Sequence, residues 1–158
     1  SGSAFLVLES RANAEARGAA IYATLSGIAG DRGRRDDEAL AKRFRQLAAE
    51  TGADEAETPL VLSGASGLTG VTASERRHIG ALFPKAALRG YGGVTGHTVE
   101  ATFPIGLALA ALALKAGAKV PPFDPAAEQP MPAAAETIVV TAFGHARGEG
   151  IAVLSAEG

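Results

Sequence analysis

The sequence predicts an α/β fold, with short strands interleaved with helices and one helix that is apolar on every side. Three observations carry this. Residues 60–62, 138–142 and 150–154 are short apolar runs bounded by Gly, Pro or polar residues, as buried strands are. Residues 36–50 set Leu40, Phe44, Leu47 and Ala48 on one face of a 3.6-residue period. Residues 101–114 are fourteen positions without a charge, ending at Lys115. That falls short of the ~20 apolar residues of a membrane span and reads as a helix buried all round.

The remaining elements follow in order. Residues 4–8 read as a buried strand, too short for the apolar region of a signal peptide and lacking its basic flank. A polar helical turn over 12–17 leads to a second strand over 19–27, an arrangement that predicts an antiparallel pair at the start of a sheet. Residues 30–35 form a charged connection. The helix over 36–50 has Asp36, Asp37 and Glu38 at its positive end and Gly52 just past its last turn, both favourable. Its Lys42, Arg43 and Arg45 are expected on a solvated face rather than on an acidic partner. After the strand at 60–62 comes a glycine-rich segment, 63–70, which has neither the Gly-Lys-Ser/Thr ending nor the spaced glycines of a phosphate loop. Thr72 and Glu75 have capping-box spacing for a helix that Pro84 stops near Phe83. A short strand over 86–89 follows. Residues 120–135, with five prolines, predict an extended connector without helix. The strands at 138–142 and 150–154 then make an antiparallel hairpin.

Composition excludes whole classes of function. The 158 residues include no cysteine, which removes a disulfide framework, a thiolate metal site and a cysteine nucleophile within this chain. Fifteen Lys and Arg against 17 Asp and Glu give a net charge of −2, no electrostatic reason to expect nucleic acid or an anionic membrane. With 47% hydrophobic and 20% charged residues the chain is not disordered, and a cytoplasmic setting is the expectation. No cofactor or metal site is expected. Of the three histidines, His78 follows Arg76 and Arg77 and is expected on the surface. His97 follows Gly96 at the start of the apolar helix, where free amides and the positive dipole end favour a neutral imidazole able to donate a hydrogen bond.

The segments GSAFLVLES, RGAAIYATLSG, VTGHTVEA, VPP and FGHARGEG, in this order and spacing, resemble the C-terminal half of a β-ketoacyl-acyl carrier protein synthase. The resemblance runs from residue 1 to about 155 and is strongest at Gly96-His97, Val120-Pro121-Pro122 and Phe143-Gly144. It implies a thiolase-like fold, the C-terminal half of a five-layered α-β-α-β-α body with a mixed sheet and a buried central helix. It also implies that the nucleophilic cysteine lies in the N-terminal half of the same fold.

Against that family's pattern, this chain has lost groups. Two histidines normally polarise the thioester carbonyl, in HGTxTxxxD and KSxxGH segments. The first segment aligns with 63–72, where Ser63 and Gly64 supply no imidazole. The second retains His97, but its lysine position is Gly92. Glu75, which faces that lysine in the family, is retained. The family's GFGGTN becomes 144–149, so its gating Phe position holds His145. The small GAAG packing after the histidine becomes the region of Glu100, Ala101 and Phe103. The resemblance therefore implies His97 as the retained catalytic position, with Phe103, Phe143, Gly144 and His145 at the substrate tunnel. It implies a degenerate chain-length-factor-type subunit, close to those of aryl-polyene-like pathways, whose partners are an active β-ketoacyl synthase and an acyl carrier protein. The alternative is an active condensing enzyme or malonyl decarboxylase using His97 with a cysteine from the other half.

Overall fold

The computed structural model describes residues 2–34, 36–57 and 60–157. Five strands form one mixed sheet: β1 (Thr24–Asp31), β2 (Leu60–Ser63), β3 (Ala87–Gly90), β4 (Thr137–Phe143) and β5 (Glu149–Ser155), in the order β1-β5-β4-β2-β3. β4 and β5 are the antiparallel hairpin the sequence predicts, with Val140 opposite Ala152. β2 runs parallel to both β4 and β3.

Alternation along the strands sorts the core into two layers. Leu60, Leu62, Ile138, Val140, Ala152 and Leu154 point to one face, against helix α5 (Thr102–Ala116). Val61, Val139, Phe143, Ile151 and Val153 point to the other, against α2 (Asp37–Thr51) and α3 (Thr69–Leu82). This is the period-2 pattern of a sheet covered on both faces. The periodicity of α2 holds: Leu40, Phe44, Leu47 and Ala48 are all buried. The Asp36 carboxylate caps it by accepting from the Ala39 amide at 3.0 Å, and Gly52 closes it at φ 71°. Gly27 lets the end of α2 settle onto β1, since a β-carbon there would meet the Thr51 carbonyl oxygen at 2.4 Å.

Several expectations are corrected. Residues 4–8 form no strand: Phe5 is 97% exposed and Val7 82%. Strand identity needs a ladder partner as well as an apolar run, and β1 pairs with β5, not with 4–8. The second strand starts later than expected and extends through Asp31, so the first two residues of the charged connection, Gly30 and Asp31, are ladder; its last residue, Arg35, lies outside the described residues. Only a short helix, α1 (Arg11–Ala16), separates 4–8 from β1. Arg43 is not solvated: it bonds Asp31 at 2.8 Å and the buried Glu149 at 3.1 Å.

His78 is not a surface residue either. It is buried near the rings of Phe44 and Phe143, whose centroids lie 6.2 and 6.4 Å away. Burial pushes its pKa down, and the neighbouring Arg77 charge adds to this. Thr72 does not start α3; the helix begins at Thr69, and the Thr72 hydroxyl accepts from the Gly67 amide.

The apolar helix α5 is buried on one side only. Thr102, Ile105, Gly106, Leu107, Ala110 and Leu114 face inward, while Leu112 is 53% exposed. The longer stretch Val99–Ala116, 18 residues at mean hydropathy 1.5, has the length and composition of a membrane span, more than the fourteen-residue count allowed. Its inner face is occupied by the sheet. The proline-rich connector is helix-free, as expected. It is held by the buried Arg89 guanidinium, which donates to the carbonyls of Val120, Pro121 and Gln129 at 2.8–3.1 Å.

Candidate functional site

The C-terminal end of β4, the N-terminal end of β5 and the segment leading into α5 meet around a cavity of about 690 Å³. Its wall includes His97, Phe103, Phe143 and Gly144, four of the five positions selected from the sequence, together with Arg32, Glu100, Arg147 and Glu149. The fifth, His145, is exposed and sits beside the wall, its ring centroid 4.8 Å from that of His97 and tilted by 38°.

Local geometry explains how these residues converge. The β4–β5 loop closes tightly, the Gly144 amide donating to the Gly148 carbonyl at 2.7 Å. Only glycine fits at 144, because a β-carbon would meet the Arg147 carbonyl oxygen at 2.3 Å. Phe103, at the start of α5, lies over Gly150, where an added β-carbon would sit 3.4 Å from the ring. α5 itself is fixed by Tyr91, whose hydroxyl donates to the Thr102 carbonyl at 3.0 Å. Gly106 makes room for that ring, since a β-carbon there would lie 2.5 Å from the Tyr91 oxygen. Burial, with the nearby Glu75 charge, pushes the Tyr91 pKa up, so it remains a donor.

His97 is not on the first turn of α5. The short helix α4 (Gly92–Thr95) ends at Gly96, and a 3₁₀ turn over Val99–Ala101 intervenes before α5 begins at Thr102. A helix dipole acts within its first turn, and His97 lies outside that turn of α5. Its Nδ1 is buried and has no hydrogen-bond partner among the described residues. Val99 takes a positive φ of 53°, an unfavourable conformation for a β-branched residue. The structure gives Phe143 a different position from the other wall residues. Its ring packs edge-on against Phe44 at 5.2 Å, in the core on the opposite sheet face.

The aligned positions that lost their functional groups are packed shut. A β-carbon on Gly64 would meet Thr102 Cγ2 at 2.9 Å. On Gly92 it would meet the carbonyl oxygens of Gly64 and Ala65 at 2.2 and 2.4 Å. Ser63 is buried, its hydroxyl accepting from the Ala65 amide at 3.2 Å. Glu75 does not cap α3: it is fully buried and accepts from the Thr141 hydroxyl at 2.8 Å. Sequence reasoning missed Arg32, the role of Arg43 in neutralising Asp31 and Glu149, and the His97–His145 proximity. The two histidines are 48 positions apart, and nothing local announces their meeting. Among the described residues no group of three or more His, Asp or Glu forms a metal-holding cluster.

No protein-family model and no curated protein matches the chain. Solved structures do. Over 93% of this chain and 48% of the other, it matches the oxazolomycin ketosynthase domain of Streptomyces albus, with TM-score 0.71 and 26% identity. The ishigamide ketosynthase/chain length factor matches with TM-score 0.77 and 18% identity, over 95% of this chain and 42% of the other. A type II polyketide ketosynthase in complex with its acyl carrier protein matches with TM-score 0.73 and 18% identity, over 94% and 42%. The molecule therefore has the thiolase-like α/β fold of the ketosynthases. The resemblance to the β-ketoacyl synthase family drawn from the sequence is borne out, across most of this chain and less than half the length of each of these structures.

Proposed function

We propose that these residues are the C-terminal half of a ketosynthase-like subunit of chain-length-factor type. In this reading the subunit pairs with an active β-ketoacyl synthase, receives chains from an acyl carrier protein, and shapes the tunnel in which the acyl or polyketide chain grows. Its N-terminal half completes the fold and covers the exposed side of α5. The finer assignment is to an aryl-polyene-like or fatty-acid-like pathway in the cytoplasm.

One observation carries the reading. Where the family's first histidine segment aligns, Ser63 and Gly64 supply no imidazole, and at the lysine position, Gly92, the β-carbon space is already filled by the carbonyl oxygens of Gly64 and Ala65. An active site that had merely drifted would keep room for its lost lysine, and the Gly92 position has none. Removing one oxyanion donor typically costs 10²–10³ in rate, about 3–4 kcal/mol, and here two groups are gone together. The structural neighbours include a ketosynthase/chain length factor and a ketosynthase in complex with its acyl carrier protein, which supports the named partners. The test is co-purification of the complete protein with candidate synthases. A stable heterodimer is expected, and a homodimer that condenses malonyl thioesters unaided sinks the proposal.

A second reading is favoured by His97 alone, kept on the cavity wall. An active condensing enzyme or decarboxylase using a cysteine from the other half would lose turnover on His97→Ala. Unchanged turnover removes it.

A further inference from the structure

His78 stands in the core layer on the sheet face away from α5, only 9% exposed, and its Nε2 has no hydrogen-bond partner among the described residues. Its ring is inclined by 28° to that of Phe143, and Phe44 packs against both. Phe143 is where this core layer becomes cavity wall. It stands opposite Glu149 at the base of the β4–β5 hairpin, and the loop between them lines the cavity with Gly144, Arg147 and Gly148. One helix anchors both ends of that base. Phe44 of α2 meets the Phe143 ring edge-on at 5.2 Å, and its neighbour Arg43 bonds Glu149 at 3.1 Å. His78 of α3 supports the Phe143 ring as well.

A neutral imidazole suits this place and an imidazolium does not, because the carboxylates facing it are engaged. On α3 itself Glu75 accepts from the Thr141 hydroxyl at 2.8 Å. On α2 Asp37 favours the cation, but it is exposed and pairs with Arg77 at 2.6 Å. Arg77 and Arg45 oppose the cation. β4 presents Val139, Thr141 and Phe143 on this face and no ionisable group, and Glu149 on β5 is held by Arg43. A charge among apolar groups without a partner is costly, so a protonated ring is driven out of the layer.

We propose that His78 is a pH-sensitive latch on the cavity wall: the neutral ring holds Phe143 in the core, and protonation of that ring expels it toward solvent, unseating Phe143 and loosening the β4–β5 loop. The latch acts on the wall whatever the cavity takes, and so goes beyond the role proposed above.

Hydrogen–deuterium exchange of the complete protein tests this, read by mass spectrometry at about pH 7 and about pH 5 and corrected for the intrinsic pH dependence of exchange. Protection of residues 144–149 is expected to fall at least tenfold at the lower pH, while residues 60–63 of β2 keep theirs. His78→Phe retains a ring of similar volume and His78→Gln a neutral polar group; each should hold loop protection equal at the two pH values. Unchanged loop protection in the parent overturns the latch. So does a tenfold fall that persists in either variant when its circular dichroism matches the parent's. An equal fall in β2 also overturns it, because that marks general unfolding.

Discussion

Gly92 and Gly93 are neighbours in one short helix with opposite demands. A β-carbon at 92 would drive into two carbonyl oxygens, while at 93 nothing lies within 4 Å. Gly92→Ala is therefore expected to cost about 2–3 kcal/mol through overpacking. Gly93→Ala should be neutral or stabilise by up to about 1 kcal/mol by restricting the unfolded chain. Urea unfolding of both variants checks this, and equal midpoints would show that the backbone moves aside at 92. The same contrast measures legibility at this scale. That Gly92 stands at a lysine position was readable by resemblance. That no side chain fits there was not, because the carbonyls that fill the space belong to Gly64 and Ala65, 27 or more positions away. His97 and Gly144 were legible as site positions. Arg32 and Arg147 were not, since a surface arginine has no pattern until a cavity forms around it.

At the scale of elements, α3 carries a titratable group into the core. The His78 pKa is lowered from 6.5 in the folded protein, by burial first and Arg77 second, with Asp37 opposing. The unfolded chain thus binds a proton more readily in the window from the lowered value up to 6.5. Stability from this group is complete above that window and falls as pH drops through it. His78→Phe is expected to reduce the loss of stability between pH 7 and pH 5, measured by denaturant midpoints at both; an unchanged difference would place the titration elsewhere. The prediction of an exposed histidine failed because two adjacent arginines set the reading, whereas the face of α3 is chosen by Phe44 and Phe143. The connector is the opposite case. Its prolines declare an extended path, but what fixes it is Arg89 on β3, donating to three of its carbonyls. Arg89→Leu is expected to cost about 3 kcal/mol by leaving buried acceptors unpaired. It should also open residues 118–132 to proteolysis; a variant with parent-like cleavage would show that the prolines suffice.

The whole molecule leaves an apolar groove along the outer side of α5, about 690 Å³ in volume and lined by Phe5, Val7, Leu8, Tyr22, Ala111 and Leu112. Phe5, Val7 and Leu8 are 97%, 82% and 70% exposed, and contiguous apolar surface of this kind attracts partners. The 158 residues produced on their own are expected to bind a hydrophobic dye and self-associate, and the triple change Phe5→Ser, Val7→Ser, Leu112→Ser should reduce both. A monomer that binds no dye would count against the reading of this surface as one that the rest of the protein covers. Sequence by itself determined the parts governed by local periodicity and chain chemistry: the amphipathic face of α2 with its Asp36 and Gly52 ends, the β4–β5 hairpin, and the absence of a cysteine nucleophile within these residues. Those follow from neighbours a few residues apart. Tertiary structure decided what depends on distant groups arriving in the same place. It placed His97 beside His145, turned Arg43 inward to neutralise Asp31 and Glu149, and left residues 4–8 without a ladder, because each outcome is fixed by packing and charge compensation across the fold and not by the sequence around the residue itself.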